Sequence, residues 1–195
     1  MAVPRTGPGA SGRLRRAVFV DRDGTLNPDL HYLKDADRLE LFRGVGASLR
    51  QVREHGELVV CVTNQSGIER GLYTEEDVGR IHARLNELLG RSGARVDAFY
   101  YCPHAPERGC ACRKPGTLLF ERARDDLHLD LGSCTLVGDR LVDVEAGRRL
   151  GLLTAVVRTP GHEALVDREL AEAGVVAPVN ADSFPAEIAR LLARG

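Results

Sequence analysis

The sequence predicts an α/β fold built on a doubly wound parallel sheet. Two observations carry that expectation. Five short apolar runs rich in β-branched residues, at 17–20, 58–63, 96–101, 133–137 and 154–157, alternate with amphipathic segments of helical period. The first four runs lead into polar, chemistry-bearing residues, which is where open parallel sheets present their ligand groups. A chain of 195 residues, 43% apolar and 28% charged, is ample for one ordinary core. The expected organisation is a flexible basic tail over 1–16, with four Arg and no acid, then a single domain over 17–195.

The elements follow in order. Residues 17–20 form a buried strand that stops at Asp21. Residues 28–43 have no clear period and form a loop at the strand's carboxyl end. A helix over 44–54 carries Val45, Leu49 and Val52 on one face and stops at Gly56. The second strand ends in Thr63-Asn64-Gln65-Ser66-Gly67. Thr74 caps the next helix, with Glu75, Glu76 and Asp77 in its first turn and Val78, Ile81, Leu85, Leu88 and Leu89 along its apolar face. The third strand, 96–101, runs into a cluster of Cys and His and then Arg113-Lys114-Pro115-Gly116. A helix over 117–127 precedes the fourth strand, which ends in Gly138-Asp139-Arg140. A further helix runs to Leu150, the fifth strand follows, and amphipathic segments at 163–173 and 185–193 close the chain.

The net charge of −1 offers no long-range attraction to nucleic acid or anionic membrane. No apolar run reaches the length of a bilayer span, and the amino-terminal segment lacks an apolar signal core. A cytoplasmic monomer without nucleic-acid or membrane partners is expected.

Residues two apart at a strand end point the same way, so Asp21 and Asp23 should face one pocket with Arg22 turned aside. Two neighbouring carboxylates raise each other's pKa unless a cation intervenes, a division suited to one nucleophile and one general acid–base. Parallel strands put their carboxyl ends on one edge. Asp21, Asp23, Thr63, Asn64, Arg113, Lys114, Asp139 and Asp143 should therefore converge. Acids with a Lys, an Arg and a hydroxyl suit a phosphate site holding Mg²⁺, which favours hard oxygens and retains several waters. Lys114 and Arg113 would neutralise charge on the transferring group.

Three of the five cysteines lie in one segment with a histidine: Cys102-Pro103-His104, then Cys110-Ala111-Cys112. Three thiols and an imidazole suit tetrahedral Zn²⁺, and four protein ligands leave no open position, so a structural role is expected. Such a zinc loop, 102–112, would order Arg113 and Lys114 directly after it. Cys61 and Cys134 sit in or beside strand-like runs and read as buried thiols.

Asp21-Arg22-Asp23-Gly24-Thr25, a strand-ending Thr63, Lys114 and Gly138-Asp139 together resemble the haloacid dehalogenase-type phosphatases. Adding Thr63-Asn64-Gln65-Ser66-Gly67-Ile68, Cys102-Pro103-His104 and Cys112-Arg113-Lys114-Pro115-Gly116, the chain resembles the D-glycero-D-manno-heptose 1,7-bisphosphate 7-phosphatase family from about residue 17 to 160. The resemblance implies a Rossmann-like haloacid dehalogenase sheet, with no large insertion for a separate cap. It implies that Asp21 attacks phosphorus and that Asp23 protonates the leaving oxygen, then activates water. It implies that Asp21, the Asp23 carbonyl and Asp139 bind Mg²⁺, that Thr63 and Lys114 hold the phosphoryl group, and that Asp143 orients Mg²⁺ or Lys114. Its substrate-contacting segments fall on Asp29, His31 and Tyr32, on Asn64, Gln65 and Ser66, on Arg113, and on Arg140 where a Lys is expected. The implied reaction removes the C7 phosphate of a heptose 1,7-bisphosphate, giving heptose 1-phosphate for nucleotide-heptose synthesis. Histidinol-phosphate phosphatases share nearly all these motifs, and polynucleotide 3′-phosphatases share the Thr63-Asn64-Gln65 turn. A phospho-receiver module would also offer an acceptor Asp beside acids and a Lys, but it needs no general acid at Asp23.

Overall fold

A computed structural model describes residues 14–158, 163–174, 180–181, 184–185 and 188–189. Eleven regular elements succeed one another: β1 (Ala17–Val20), α1 (Val45–Glu54), β2 (Leu58–Asn64), α2 (Glu75–Gly90), β3 (Ala98–Cys102), α3 (Leu118–Leu127), β4 (Thr135–Gly138), α4 (Leu141–Leu150), β5 (Leu153–Val157), α5 (Glu163–Glu172) and β6 (Asn180–Ala181). The strands pair in parallel in the order β3-β2-β1-β4-β5-β6. The chain thus winds outward from β1 to one edge, returns, and winds to the other. The order reverses between β1 and β4, the crevice where such sheets bind ligands.

The period-2 alternation of β1 divides the core. Val18 and Val20, with Val59 and Cys61, pack against Val45, Leu49 and Val52 of α1 and Ile81, Leu85 and Leu89 of α2. Ala17 and Phe19, with Val60 and Val62, pack against Leu119, Phe120 and Ala123 of α3 and Ala146 of α4. Helices on both faces explain why the strands are apolar throughout rather than alternating. Phe120 meets Phe19 edge to face, with ring centroids 5.1 Å apart.

Local signals set most boundaries. Thr74 caps α2 as the sequence predicts: its Oγ1 accepts from Asp77 N at 3.2 Å, and Asp77 Oδ2 accepts from Thr74 N at 2.7 Å. The third strand starts at Ala98 rather than residue 96. Asn86 of α2 takes both backbone groups of Val96, accepting from its N–H at 2.7 Å and donating to its C=O at 3.1 Å. The segment before β4 is a single 3-10 turn, Leu131–Ser133, so that strand begins at Thr135. The sixth strand has no counterpart in the sequence reading; two residues against Val156 and Val157 are too few to show a period. Residues 28–43 are not wholly irregular. A 3-10 turn spans Ala36–Arg38, and Leu33 and Leu39 enter the core.

Arg15 and Arg16, expected in the flexible tail, are tied to the sheet. Arg15 N donates to His128 O, Arg15 O accepts from Asp130 N, and Leu58 N donates to Arg16 O. Residues 1–13, and most of the segment expected at 185–193, lie outside the described residues. Phe184 and Ile188 are buried beside α1 and α2. No large cap is present among the described residues, and no helix there is long and apolar enough to cross a membrane.

Replacing Phe120 by Ala should cost about 3–5 kcal/mol, since it empties a close-packed aromatic site. Urea unfolding followed by circular dichroism measures the loss, and a change under about 1 kcal/mol would contradict this account of the core.

Candidate active site

The carboxyl ends of β1 and β4 bring together groups from four segments. Asp21 follows β1, where its N–H donates to Val137 O of β4 at 3.0 Å. Lys114 reaches in from the loop after β3, with its Nζ 3.0 Å from Asp21 Oδ2 and 2.7 Å from Asp143 Oδ1. Lys114, Asp139 and Asp143 are all buried. Two glycines make the approach possible. A Cβ on Gly24, whose φ is +82°, would sit 2.1 Å from Asp139 Oδ2, and one on Gly138 would sit 2.3 Å from Asp143 Cγ. Thr25 Oγ1 donates to Asp139 Oδ1 at 2.9 Å. Asp143 also caps α4, its Oδ2 accepting from Arg140 N at 3.2 Å, so the first-turn acid and the Lys114 partner are one side chain.

Burial pushes Asp21 up to about 6; the charges of Asp143 and Asp23 add to the rise and Lys114 opposes it. Burial, with Asp21 and Asp143, raises Asp139 well above the usual carboxylate range. Burial would depress Lys114, but Asp143 and Asp21 outweigh it and raise its pKa. Oxygens of Asp21, Asp139 and Asp143 lie within 4.8 Å of one another. Two buried acids that resist ionising, with the oxygens of a third beside them, are the donor set a small divalent cation satisfies, so these residues fit Mg²⁺.

Asp23 behaves differently. Burial raises it, but the adjacent Arg22 guanidinium and hydrogen bonds from Arg22, Asn27 and Gln65 prevail and hold it below the usual range. Arg22 is therefore not simply turned aside. It is buried and paired with Asp23, its NH2 2.6 Å from Oδ2. The strand has ended at Val20, so the turn and not strand alternation sets these directions.

Asp21, Asp23, Lys114 and Asp139 border one open cavity of about 1410 Å³, lined also by Asp29, His31, Tyr32, Thr63, Ser66 and Arg113. Thr63 is buried at the end of β2, and Ser66 is half-exposed in the turn after it. Asp29 Oδ1 accepts from His31 N at 3.0 Å, and His31 and Tyr32 are exposed with φ of +47° and +57°. Three expected substrate contacts have other partners. Asn64 clamps the backbone of Lys114, accepting from its N–H at 3.0 Å and donating to its C=O at 3.2 Å. Gln65 is buried, donating to Asp23 Oδ2 and Thr63 Oγ1, each at 2.9 Å, and accepting from Tyr73 OH at 2.7 Å. Arg140 lines the cavity, yet both oxygens of Glu169 on α5 hold its guanidinium. Arg113 keeps a cationic face toward the cavity, with NH1 donating to His104 O at 3.2 Å. The sequence reading missed Thr25, Asn27 and Tyr73. Thr25 belongs to the Asp-Gly-Thr turn and Asn27 lies two residues beyond it, whereas no local signal marks Tyr73.

The Cys/His cluster closes on itself. Cys102 Sγ lies 3.1 Å from Cys112 Sγ and 3.5 Å from Cys110 Sγ, and His104 Nδ1 lies 3.2 Å from Cys112 Sγ. Four soft or borderline ligands gathered on one point fit Zn²⁺. Cys61 and Cys134 are buried free thiols, as expected.

The fold and this convergence of acids, Lys and Thr define a haloacid dehalogenase-like hydrolase. Residues 111–180 match the HAD-hydrolase-like family model. The D-glycero-beta-D-manno-heptose-1,7-bisphosphate 7-phosphatase of Haemophilus ducreyi is 38% identical over 162 residues, covering 80% of this chain and 89% of that protein. Its namesake in Escherichia coli K12 is 38% identical over 151 residues, covering 73% and 79%. A crystal structure of D,D-heptose 1,7-bisphosphate phosphatase from B. bronchiseptica, complexed with magnesium and phosphate, superposes with a TM-score of 0.82 at 30% identity, covering 93% of this chain and all of that one. The chain belongs to the D-glycero-D-manno-heptose-1,7-bisphosphate 7-phosphatase family.

An acid whose folded pKa lies above its unfolded value holds extra protons in the native state, so stability falls as pH rises through that interval. For Asp21 the interval runs from the ordinary Asp range to about 6, and Asp139 shifts in the same direction. Asp139→Asn should therefore raise the melting temperature of metal-free protein at pH 7, with the gain shrinking toward pH 4. The variant should also lose most of the stabilisation that Mg²⁺ gives the wild type. Thermal unfolding in chelator and in Mg²⁺ across that range reads both effects.

Proposed function

We propose that the protein hydrolyses the C7 phosphate of D-glycero-D-manno-heptose 1,7-bisphosphate through an aspartyl-phosphate on Asp21. The observation that carries this is Lys114, a buried cation bridging Asp21 and Asp143 at the point where the strand order reverses. It gives Asp21 a fixed direction and an anion-receiving neighbour. Kinship with enzymes named for that substrate supplies the sugar.

In this reading an oxygen of Asp21 attacks phosphorus while the bond to the C7 oxygen breaks. Asp23 passes its proton to that oxygen. Asp23 then takes a proton from water, the water oxygen attacks phosphorus, and the bond to Asp21 breaks to release phosphate. Lys114 and the Thr63 hydroxyl hold the phosphoryl oxygens, and Asp143 keeps Lys114 aimed. Mg²⁺, held by Asp21, Asp139 and the Asp23 carbonyl, would offset the repulsion between Asp21 and the phosphate dianion. Arg113 and Ser66, with Asp29, His31 and Tyr32 across the mouth, would receive the sugar and its second phosphate. The Asn64 and Gln65 hydrogen bonds favour supporting roles for those two residues, and Glu169 competes with substrate for Arg140. Cys102, His104, Cys110 and Cys112 would hold structural Zn²⁺ and stiffen the loop that carries Lys114. We take the enzyme as one domain, monomeric and cytoplasmic. The balanced charge agrees with a small sugar phosphate, not nucleic acid, as its partner.

Phosphate release across a panel tests the substrate. Heptose 1,7-bisphosphate should be the best substrate, giving heptose 1-phosphate, and equal or better turnover of histidinol phosphate or a 3′-phosphorylated oligonucleotide would refute the assignment. Asp21→Asn should abolish turnover with the fold retained by circular dichroism.

Metal analysis should find one zinc per chain. Cys112→Ser should lose it and reduce activity, because Lys114 stands two residues further on. Full zinc occupancy in that variant would exclude Cys112 as a ligand.

A further inference from the structure

Asp23 is gripped from several sides. Arg22 Nε and Asn27 Nδ2 donate to its Oδ1 at 3.1 and 3.0 Å. Arg22 NH2 and Gln65 Nε2 donate to its Oδ2 at 2.6 and 2.9 Å. A carboxylate offers about four lone-pair positions, so these donors fill it.

The two principal arms are braced from behind. Arg22 is fully buried, and its NH1 lies 3.5 Å from His82 Nε2 on α2. Burial and the Arg22 charge push His82 down to about 3, so the ring is neutral and its Nε2 is free to accept. That ring stacks on Phe99 of β3, with centroids 4.1 Å apart. Gln65 is pinned at its other end by the Tyr73 hydroxyl, 2.7 Å from Oε1. The Tyr73 ring occupies the space a Cβ on Gly67 would need, 2.2 Å from Cε1. The site is open and no large cap lies over it among the described residues, so alignment of Asp23 has to come from its floor.

We propose that Arg22 and Gln65, braced by His82 and Tyr73, are positioning residues that fix the plane of the Asp23 carboxylate for proton transfer. The inference rests on the reading of Asp23 as acid–base given above. Gln65 is the weaker of the two arms, for two reasons. Its bond to Asp23 is made by a neutral amide, weaker than the charge-assisted pair from Arg22. Its Nε2 also keeps Thr63 Oγ1 as a partner at 2.9 Å, whereas Arg22 has no other anionic partner among the described residues. In the first half-reaction the carboxyl O–H bond of Asp23 breaks and the proton passes to the ester oxygen. That oxygen takes the electron pair of its breaking bond to phosphorus as Asp21 bonds to phosphorus. Asp23 then returns to its four-donor carboxylate.

The leaving group separates positioning from general damage. An alkyl alkoxide needs a proton to depart, whereas 4-nitrophenolate departs without one. Gln65→Met should lower kcat on an alkyl phosphate that the wild type hydrolyses at least ~10-fold, part of the ~10²–10⁴ that general acid–base catalysis contributes. KM should stay within about twofold, and so should the single-turnover burst of 4-nitrophenolate from 4-nitrophenyl phosphate, both small against that contribution. Tyr73→Phe removes only the brace and should show the same pattern with a smaller loss. A rise in KM with kcat retained would make Gln65 a substrate contact and overturn the proposal. Equal loss on both substrates, no loss, or a gain in kcat would overturn it as well. A wild type that hydrolyses other alkyl phosphates but not heptose 1,7-bisphosphate would refute the substrate assignment alone, and the comparison of variants would still decide the positioning role.

Discussion

The buried cation of Lys114 between Asp21 and Asp143 is the interaction on which the site depends. Three acids crowd the end of β1 and β4, and burial makes Asp21 and Asp139 harder to ionise. Without Lys114 the native state would hold uncompensated carboxylates, a loss of about 3–5 kcal/mol when one partner of a buried pair is removed. With it, Asp21 has a fixed direction, Asp143 is held at the start of α4, and a positive charge borders the cavity. Charge balance and side-chain direction thus rest on the same three side chains.

That cation stays in place because its backbone does. Asn64, the last residue of β2, takes the N–H and C=O of Lys114 in the manner of a neighbouring strand, although β3 has already ended. Gly116 permits the tight return of the loop, since a Cβ there would meet Ala111 O at 2.2 Å. On the other side of Lys114, Cys102, His104, Cys110 and Cys112 gather within contact distance of one another. The loop carrying Lys114 is therefore tied to β2 at one point and to its own Cys/His cluster at another. Among the described residues, that edge of the sheet holds its Lys without a covering domain.

Much of the fold was legible because its causes are local. The β-branched runs of β1, β2, β4 and β5, the cap at Thr74 and the Gly after α1 act within a few residues of where they stand. The Cys/His cluster was equally plain, its four side chains lying within eleven residues. The misplaced start of β3 has a distant cause, because Asn86 claims Val96 from across α2. The same holds in the site. The meeting of Asp21, Asp139 and Lys114 could be expected because strand ends of a parallel sheet share an edge. Arg22 was misjudged because strand alternation was carried past Val20, where the strand has stopped.

The sequence alone determined which chemistry is present: paired acids after a strand, a Lys after a thiol cluster, a Gly-Asp turn, and helices long enough to cover both faces of a sheet. Periodicity and residue type suffice for that, since each is a property of neighbours along the chain. Only the tertiary structure decided what each polar side chain does with its hydrogen bonds. Gln65 finds Asp23 across 42 residues, Asn64 finds Lys114 across 50, and Arg140 finds Glu169 across 29. A buried donor takes the acceptor that packing brings within 3 Å, and packing is settled by which strands lie side by side.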